Sequence, residues 1–270
     1  MLSIQEIKLM LEKLGKLENI QWQTFIQRYK TYLQELAETV DAYNNDQIAR
    51  IDKPKEWYQK DLDWRESNRE MTCPPLLEQE IVTKINQFAK MGNVKQNCLE
   101  IGPGYGHLTL HLRPWRNIFM LDVLPNVFSK IRKKFNPIHH RFLKGYTTQR
   151  TACDDIPNNS IAFVFSWDTF TFFTQEHIDQ YLKDINRVMI PGGYGFIHYA
   201  DCNFDDDLHE AKRGYWNFNT KESFVKLLEK QKFEVIECSQ FKPKANYVIF
   251  KKTGNENVVV YKRFEIPVQK

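Results

Sequence analysis

An α/β fold organised on a mostly parallel sheet is predicted by three observations. From Asn97 onward, short apolar runs alternate with helical patterns; the first run leads into three glycines spaced two apart; and six residues, "QFKPKA", separate the final two runs. Such alternation places crossover helices on both faces of parallel strands. Six residues cannot make a parallel crossover, so the last two strands form an antiparallel hairpin.

The elements follow in order. Ser3 and Glu6 make a capping box, after which Ile4, Ile7, Leu11 and Leu14 recur at helical spacing until Gly15. Phe25, Tyr29, Leu33, Leu36, Val40 and Tyr43 form a second helical stripe, and residues 1–51 are expected to be an N-terminal helical appendage. Its apolar stripes suit a homodimer contact or a partner enzyme. Residues 52–75 are polar, carry Trp57 and Trp64, and read as a connecting or lid-like segment. The main domain, residues 76–270, should open with a helix from Leu76 to Met91 and a strand from Asn97 to Ile101, with an amphipathic helix after the glycines. The later strands are "NIFML", "HRFLK", "IAFVFS", "YGFIHYA", "FEVIECS" and "NYVIFKK".

Composition bounds the function. The 270 residues are 42% hydrophobic, ample for a packed core, and 38 basic against 34 acidic residues give a net charge of +4. A net charge that small does not indicate a nucleic-acid partner. Cys73, Cys98, Cys153, Cys202 and Cys238 are far apart with no zinc-ligand spacing, so reduced thiols are expected. The N-terminus lacks signal-peptide character and no apolar run reaches membrane-spanning length, so the expected location is cytoplasmic.

In an open sheet of this kind, ligands bind at the carboxyl ends of the strands, where connections reverse. The turn "CLEIGPGYG" sits there, but His107 stands where a dinucleotide fingerprint needs its third glycine, and no Gly-Lys-Ser/Thr follows to make a P-loop. What remains is Glu100 ahead of Gly102, Gly104 and Gly106, with Asp122 ending the next strand in "FMLDVLP". A carboxylate at that tip can accept both hydroxyls of a ribose, and Glu100 suits an ammonium group or an ordered water. Both fit a nucleoside bearing an amino acid.

These residues resemble the class I S-adenosylmethionine-dependent methyltransferases. The likeness rests on "CLEIGPGYG", Asp122, "IPNNSIAFVFSWDTF" and "YLKDINRVMIPGGYGFIHYA" in that order, and covers roughly Leu76 to Lys252. It implies a Rossmann-like, seven-stranded, mostly parallel sheet with a reversed final hairpin, and S-adenosyl-L-methionine as cofactor with S-adenosyl-L-homocysteine as product. It also implies that Glu100, Gly102, Pro103, Gly104, Asp122, Val123, Ser166 and Trp167 line the cofactor, Ser166 and Trp167 as the floor beneath the methyl. The chain has Ala162 where many relatives carry an acid, and the adenine contact is open among Thr147, Thr148, Asp154 and Asp155.

Methyl transfer to an alcohol needs a base, and histidine is the side chain best matched to that task near neutrality. His198, at the exit of "GYGFIH", is the candidate, with Asp168 orienting it or holding an acceptor hydroxyl; a strand-end histidine and a helix-capping aspartate are the structural alternatives. "FSWDTFTFF", "GGYGFIHYADCN" and the segment after them resemble bacterial and viral methyltransferases of glycan modification, which carry histidines where this chain has Phe172 and Tyr199. The expected reaction is O-methylation of a sugar hydroxyl in a glycan or a nucleotide-linked sugar. Tyr215, Trp216 and Phe218 could stack on a sugar ring or simply pack the next helix, with Lys212 and Arg213 read as surface charge beside them. Asp201 could join His198 and Asp168; Asp205, Asp206 and Asp207 could hold a divalent metal but read as a solvated loop, and no required metal is expected. Small-molecule or protein methylation and a non-catalytic scaffold are the alternatives. A nucleic-acid methyltransferase is disfavoured because no Asn/Asp-Pro-Pro-aromatic tetrapeptide occurs.

Overall fold

The computed structural model describes residues 55–91, 95–148 and 152–254; the helices expected within residues 1–51 lie outside them. Seven strands form one sheet in the order β3-β2-β1-β4-β5-β7-β6. They are β1 Asn97–Ile101, β2 Ile118–Asp122, β3 Leu143–Thr147, β4 Ile161–Ser166, β5 Met189–His198, β6 Phe233–Gln240 and β7 Asn246–Lys252. The first five pair in parallel, while β7 runs antiparallel to both β5 and β6. The expected final hairpin is therefore present, and its second strand is wedged between the first and the rest of the sheet.

Alternation along the strands divides the core into two layers. Cys98, Ile118, Met120, Phe163 and Phe165 face α3 (Pro75–Met91) and α4 (Val127–Lys134). Leu99, Ile101, Phe119, Leu121 and Val164 face α5 (Gln175–Val188) and α7 (Lys221–Lys230). On α3, Leu77, Ile81, Ile85 and Phe88 are buried at helical spacing, and Pro75 occupies the first helical position, where a missing N–H costs nothing. Thr174 caps α5 by accepting from His177 N at 3.2 Å, and Thr220 with Ser223 forms a capping box on α7. The remaining helices are α1 (Lys55–Ser67), α2 (Arg69–Thr72) and α6 (Asp205–Lys212). The segment expected to connect is thus largely helical.

Two expected elements differ. The residues after the glycines form a single 3-10 turn, Leu108–Leu112, because Gly106 and Pro114 bracket too few residues for an amphipathic α-helix. Within "HRFLK" only Leu143 and Lys144 enter β3, since Pro137 opens a 3-10 turn that runs to Phe142. Arg132 holds that turn against the strand, donating to the carbonyls of His140 and Leu143, each at 3.2 Å. The five cysteines are free, four of them buried. No described helix is long and apolar enough to cross a membrane.

Candidate active site

A cavity opens at the carboxyl ends of β1, β2 and β4. Glu100, Gly102, Pro103, Gly104, Asp122, Val123 and Trp167 all line it. The backbone turns sharply there: Gly102, Gly104 and Gly106 have φ of +70°, +52° and +79°, the left-handed region that glycine enters without strain. Gly102 N donates to Leu121 O at 2.8 Å, tying the turn to β2, and a Cβ on Gly102 would collide with Thr169 Oγ1.

Two carboxylates face this turn. Glu100 is buried, its Oε2 has no hydrogen-bond partner, and burial pushes its carboxyl up to about 8. Asp122 accepts from Leu124 N at 2.9 Å, and burial raises it to about 6 despite that bond. An orphaned buried carboxylate oxygen is costly unless a donor arrives, so Glu100 fits the ammonium group of an amino acid. Asp122 retains the accepting capacity a ribose diol requires. The residues present therefore fit S-adenosylmethionine.

Ser166 lies outside the cavity lining: it is fully buried, and its hydroxyl donates to Ile101 O at 2.8 Å, clamping the ends of β4 and β1 together. Of the candidate adenine contacts, Thr148 is buried and lines the cavity, its N–H donating to Asp122 O at 3.0 Å. Thr147, Asp154 and Asp155 are exposed. Arg187 holds the loop carrying the two aspartates onto α5 through Asp184 at 2.6 Å and the carbonyls of Cys153 and Ile156.

Asp168 lines the cavity with a φ of +57°, and Thr169 rather than Asp168 precedes the short 3-10 turn, so it is not a helix cap. Its Oδ1 lies 3.1 Å from His198 Nδ1, and its Oδ2 lies 3.4 Å from Arg65 Nη1. Burial opposes ionisation, but His198 and Arg65 outweigh it and hold the Asp168 carboxyl below its ordinary value. His198 sits one layer behind, fully buried and outside the lining, stacked on Trp167 with ring centroids 4.5 Å apart. Its Nε2 lies 3.1 Å from Lys244 O, which can only accept, so Nε2 carries a proton. Its Nδ1 also lies 3.1 Å from the Asp168 backbone N–H, which donates to it when the ring is neutral.

Tyr215, Trp216 and Phe218 do not gather on one face. Tyr215 is exposed, Phe218 packs in a small cluster with Cys202, Leu208 and Ala211, and Trp216 touches His198 edge-on at 5.9 Å. Lys212 and Arg213 are exposed on the surface. In the acidic run, Asp205 and Asp206 are exposed, while Asp207 turns inward, accepting from Asp201 N at 2.8 Å and Asn246 Nδ2 at 2.5 Å. Asp201 accepts from the backbones of Asn203 and Lys221. Among the described residues no group of three or more potential ligands is placed to hold a metal ion.

The segment with lid-like character supplies α1 to the wall, though its sequence does not announce a helix there. Asp61, Leu62 and Arg65 line the cavity, with Tyr58 and Glu66 beside them. Contacts of α1 with the turn are largely polar: Gln59 donates to Tyr105 Oη at 2.5 Å and accepts from Asn126 at 2.7 Å, Lys134 reaches Glu66 at 3.2 Å, and Tyr105 also bonds Asp63. Arg65 lies over the Phe172 ring at 5.2 Å. The aromatic and charged run "WYQKDLDWRE" was the available signal.

Residues 98–193 match the family model of a methyltransferase domain. No curated protein matches the sequence. Similar solved structures include the N-methyltransferase NodS from Bradyrhizobium japonicum in complex with S-adenosyl-L-homocysteine, 14% identical over 72% of this chain and 97% of that one, with a TM-score of 0.54. Geranyl diphosphate C-methyltransferase from Streptomyces coelicolor is 6% identical over 65% and 78%, with a TM-score of 0.53. A protein assigned as an S-adenosyl-L-methionine-dependent methyltransferase from Methanococcus maripaludis is 17% identical over 74% and 95%, with a TM-score of 0.54. Identities this low carry the fold alone, and the nitrogen and carbon acceptors in those names show how far acceptors diverge on it. The family match spans the glycine turn, Asp122 and β4: residues 98–193 form a methyltransferase domain, and the cavity at its glycine turn fits S-adenosylmethionine as methyl donor.

Proposed function

We propose that this methyltransferase acts on a hydroxyl of a sugar, in a glycan or a nucleotide-linked precursor, with His198 taking the proton through Asp168. The observation that supports it is the Asp168 to His198 contact at the cavity wall, 3.1 Å long. When bound, S-adenosylmethionine supplies a methyl already activated by its sulfonium charge. Glu100 would hold the ammonium group, Asp122 the ribose, and Pro103, Val123 and Trp167 would pack against the rest. Asp168 is the carboxylate that can face an acceptor hydroxyl, and Arg65 fixes its second oxygen. The His198 ring, anchored at Lys244 O, keeps Nδ1 against Asp168, and a proton received by the carboxylate can pass inward once Nδ1 exchanges the Asp168 backbone N–H for it.

The test is labelled-methyl transfer to nucleotide-sugars, oligosaccharides, amines and peptides by wild type, Asp168→Asn and His198→Gln, with cofactor affinity measured in parallel. Sugar labelling reduced about 100-fold or more in both variants, with cofactor affinity retained, is expected from the usual worth of a base. Labelling of amines that ignores both substitutions overturns the sugar and base assignments. The complete burial of His198 favours that second reading, a small-molecule acceptor whose nitrogen needs no base.

A further inference from the structure

A second cleft lies on the outer edge of the sheet, away from the cavity, lined by Arg132, His140, Arg141, Leu143, Lys144, Gly145 and Tyr146. Four of these side chains are basic or can be, and they come from three successive elements: α4, the 3-10 turn and β3. No acidic residue occurs between Asp122 and Asp154, although the whole chain is nearly balanced at 38 basic against 34 acidic residues. The lining itself holds no carboxylate, although Asp155 acts electrostatically on Tyr146; the gathered like charges repel one another, and a bound anion relieves that repulsion.

The cleft is also shaped in advance. Arg132 is held by the carbonyls of His140 and Leu143, both at 3.2 Å, and His140 Nε2 lies 2.7 Å from Arg132 O and 3.2 Å from Phe135 O. Both partners of that nitrogen are acceptors, so it is fixed as a donor and the ring is oriented. Arg141 lies over the Phe142 ring at 4.6 Å, which holds the guanidinium plane while leaving its N–H edge available. Arg141 and Lys144 are exposed and neither forms an ion pair with any described residue. Two guanidinium groups and an ammonium group around one cleft match the oxygens of a phosphate.

We propose that this edge cleft is a binding site for a phosphoryl group, carried by a soluble phosphate ester or by a lipid headgroup, separate from the methyl-transfer cavity. The first measurement is calorimetric titration with inorganic pyrophosphate at ionic strength matched with sodium chloride. It compares wild type with Arg141→Gln/Lys144→Gln, two exposed positions whose replacement leaves the core untouched. Saturable binding weakened at least tenfold in the double variant, with unchanged melting temperature and methyl-donor affinity, is the expected result. Phosphatidylglycerol vesicles form the second arm: retention of the protein that pyrophosphate competes away assigns the lipid source, and pyrophosphate binding without retention assigns the soluble one. Absence of saturable binding, or binding that the double variant keeps, overturns the proposal.

Discussion

Glu100 concentrates the chemistry of the site in one atom. Burial raises it to about 8, so in the free protein at pH 7 it is mostly protonated, whereas pairing with an ammonium group requires the carboxylate. If Glu100 holds the ammonium group as proposed, cofactor uptake at pH 7 is expected to release a proton, read by calorimetry in buffers of different ionisation enthalpy. Glu100→Gln should abolish the release and weaken binding at least tenfold. Gly102 makes a separate demand. Its φ of +70° and the Thr169 hydroxyl against its Cα predict that Gly102→Ala costs about 2 kcal/mol or more, measured by denaturant unfolding. The turn that carries both residues was legible because turn chemistry is local and three spaced glycines have few other uses. The burial of His198 was not. A strand's alternation fixes which face a side chain takes, and that depends on register with β7, where His198 pairs with Tyr247.

At the scale of elements, β4 and β7 coincide with their expected runs because apolar strands bounded by turn residues announce themselves. The 3-10 turn after the glycines was misread because its apolar residues mimic a helical face while Pro114 denies it length. The lid-like character of α1 was legible but its contacts were not, since a helix of polar and aromatic residues declares no partner until the fold supplies Tyr105, Asn126 and Asp168. Its attachment predicts its behaviour. Replacing Arg65 with Met removes contacts to Asp61 at 2.7 Å and Asp168 at 3.4 Å while keeping the aliphatic bulk. Hydrogen exchange across residues 55–67 is expected to accelerate severalfold, and exchange in β4 to stay unchanged. Salt should speed the wild-type helix in the same direction, because it screens the more exposed Lys134–Glu66 pair.

Across the whole molecule, buried acids set how stability follows pH. Burial raises Glu100 to about 8 and both Asp122 and Asp207 to about 6, so the folded protein keeps protons that the unfolded chain releases above about pH 4. Folded states that bind more protons lose stability as pH rises, here from about 4 through 8. Other acids act in the opposite sense: against burial, His107 lowers Glu78 and Lys84 lowers Glu237, and their contribution disappears as pH falls below about 4. Melting temperature is thus expected to peak near pH 5 and decline by several degrees toward pH 8, and Glu100→Gln should flatten the upper limb. A melting temperature that rises steadily to pH 8 would contradict this assignment.

The position of β7 also governs the order of assembly. Val248 and Phe250 are fully buried between β5 and β6, so the sheet keeps an open slot until residue 252 has left the ribosome tunnel. The first five strands can collapse earlier, but β5 waits with a bare edge and its unpaired backbone groups are a template for wrong pairing. Synthesis therefore reaches its most aggregation-prone moment late, between the emergence of His198 and that of Lys252.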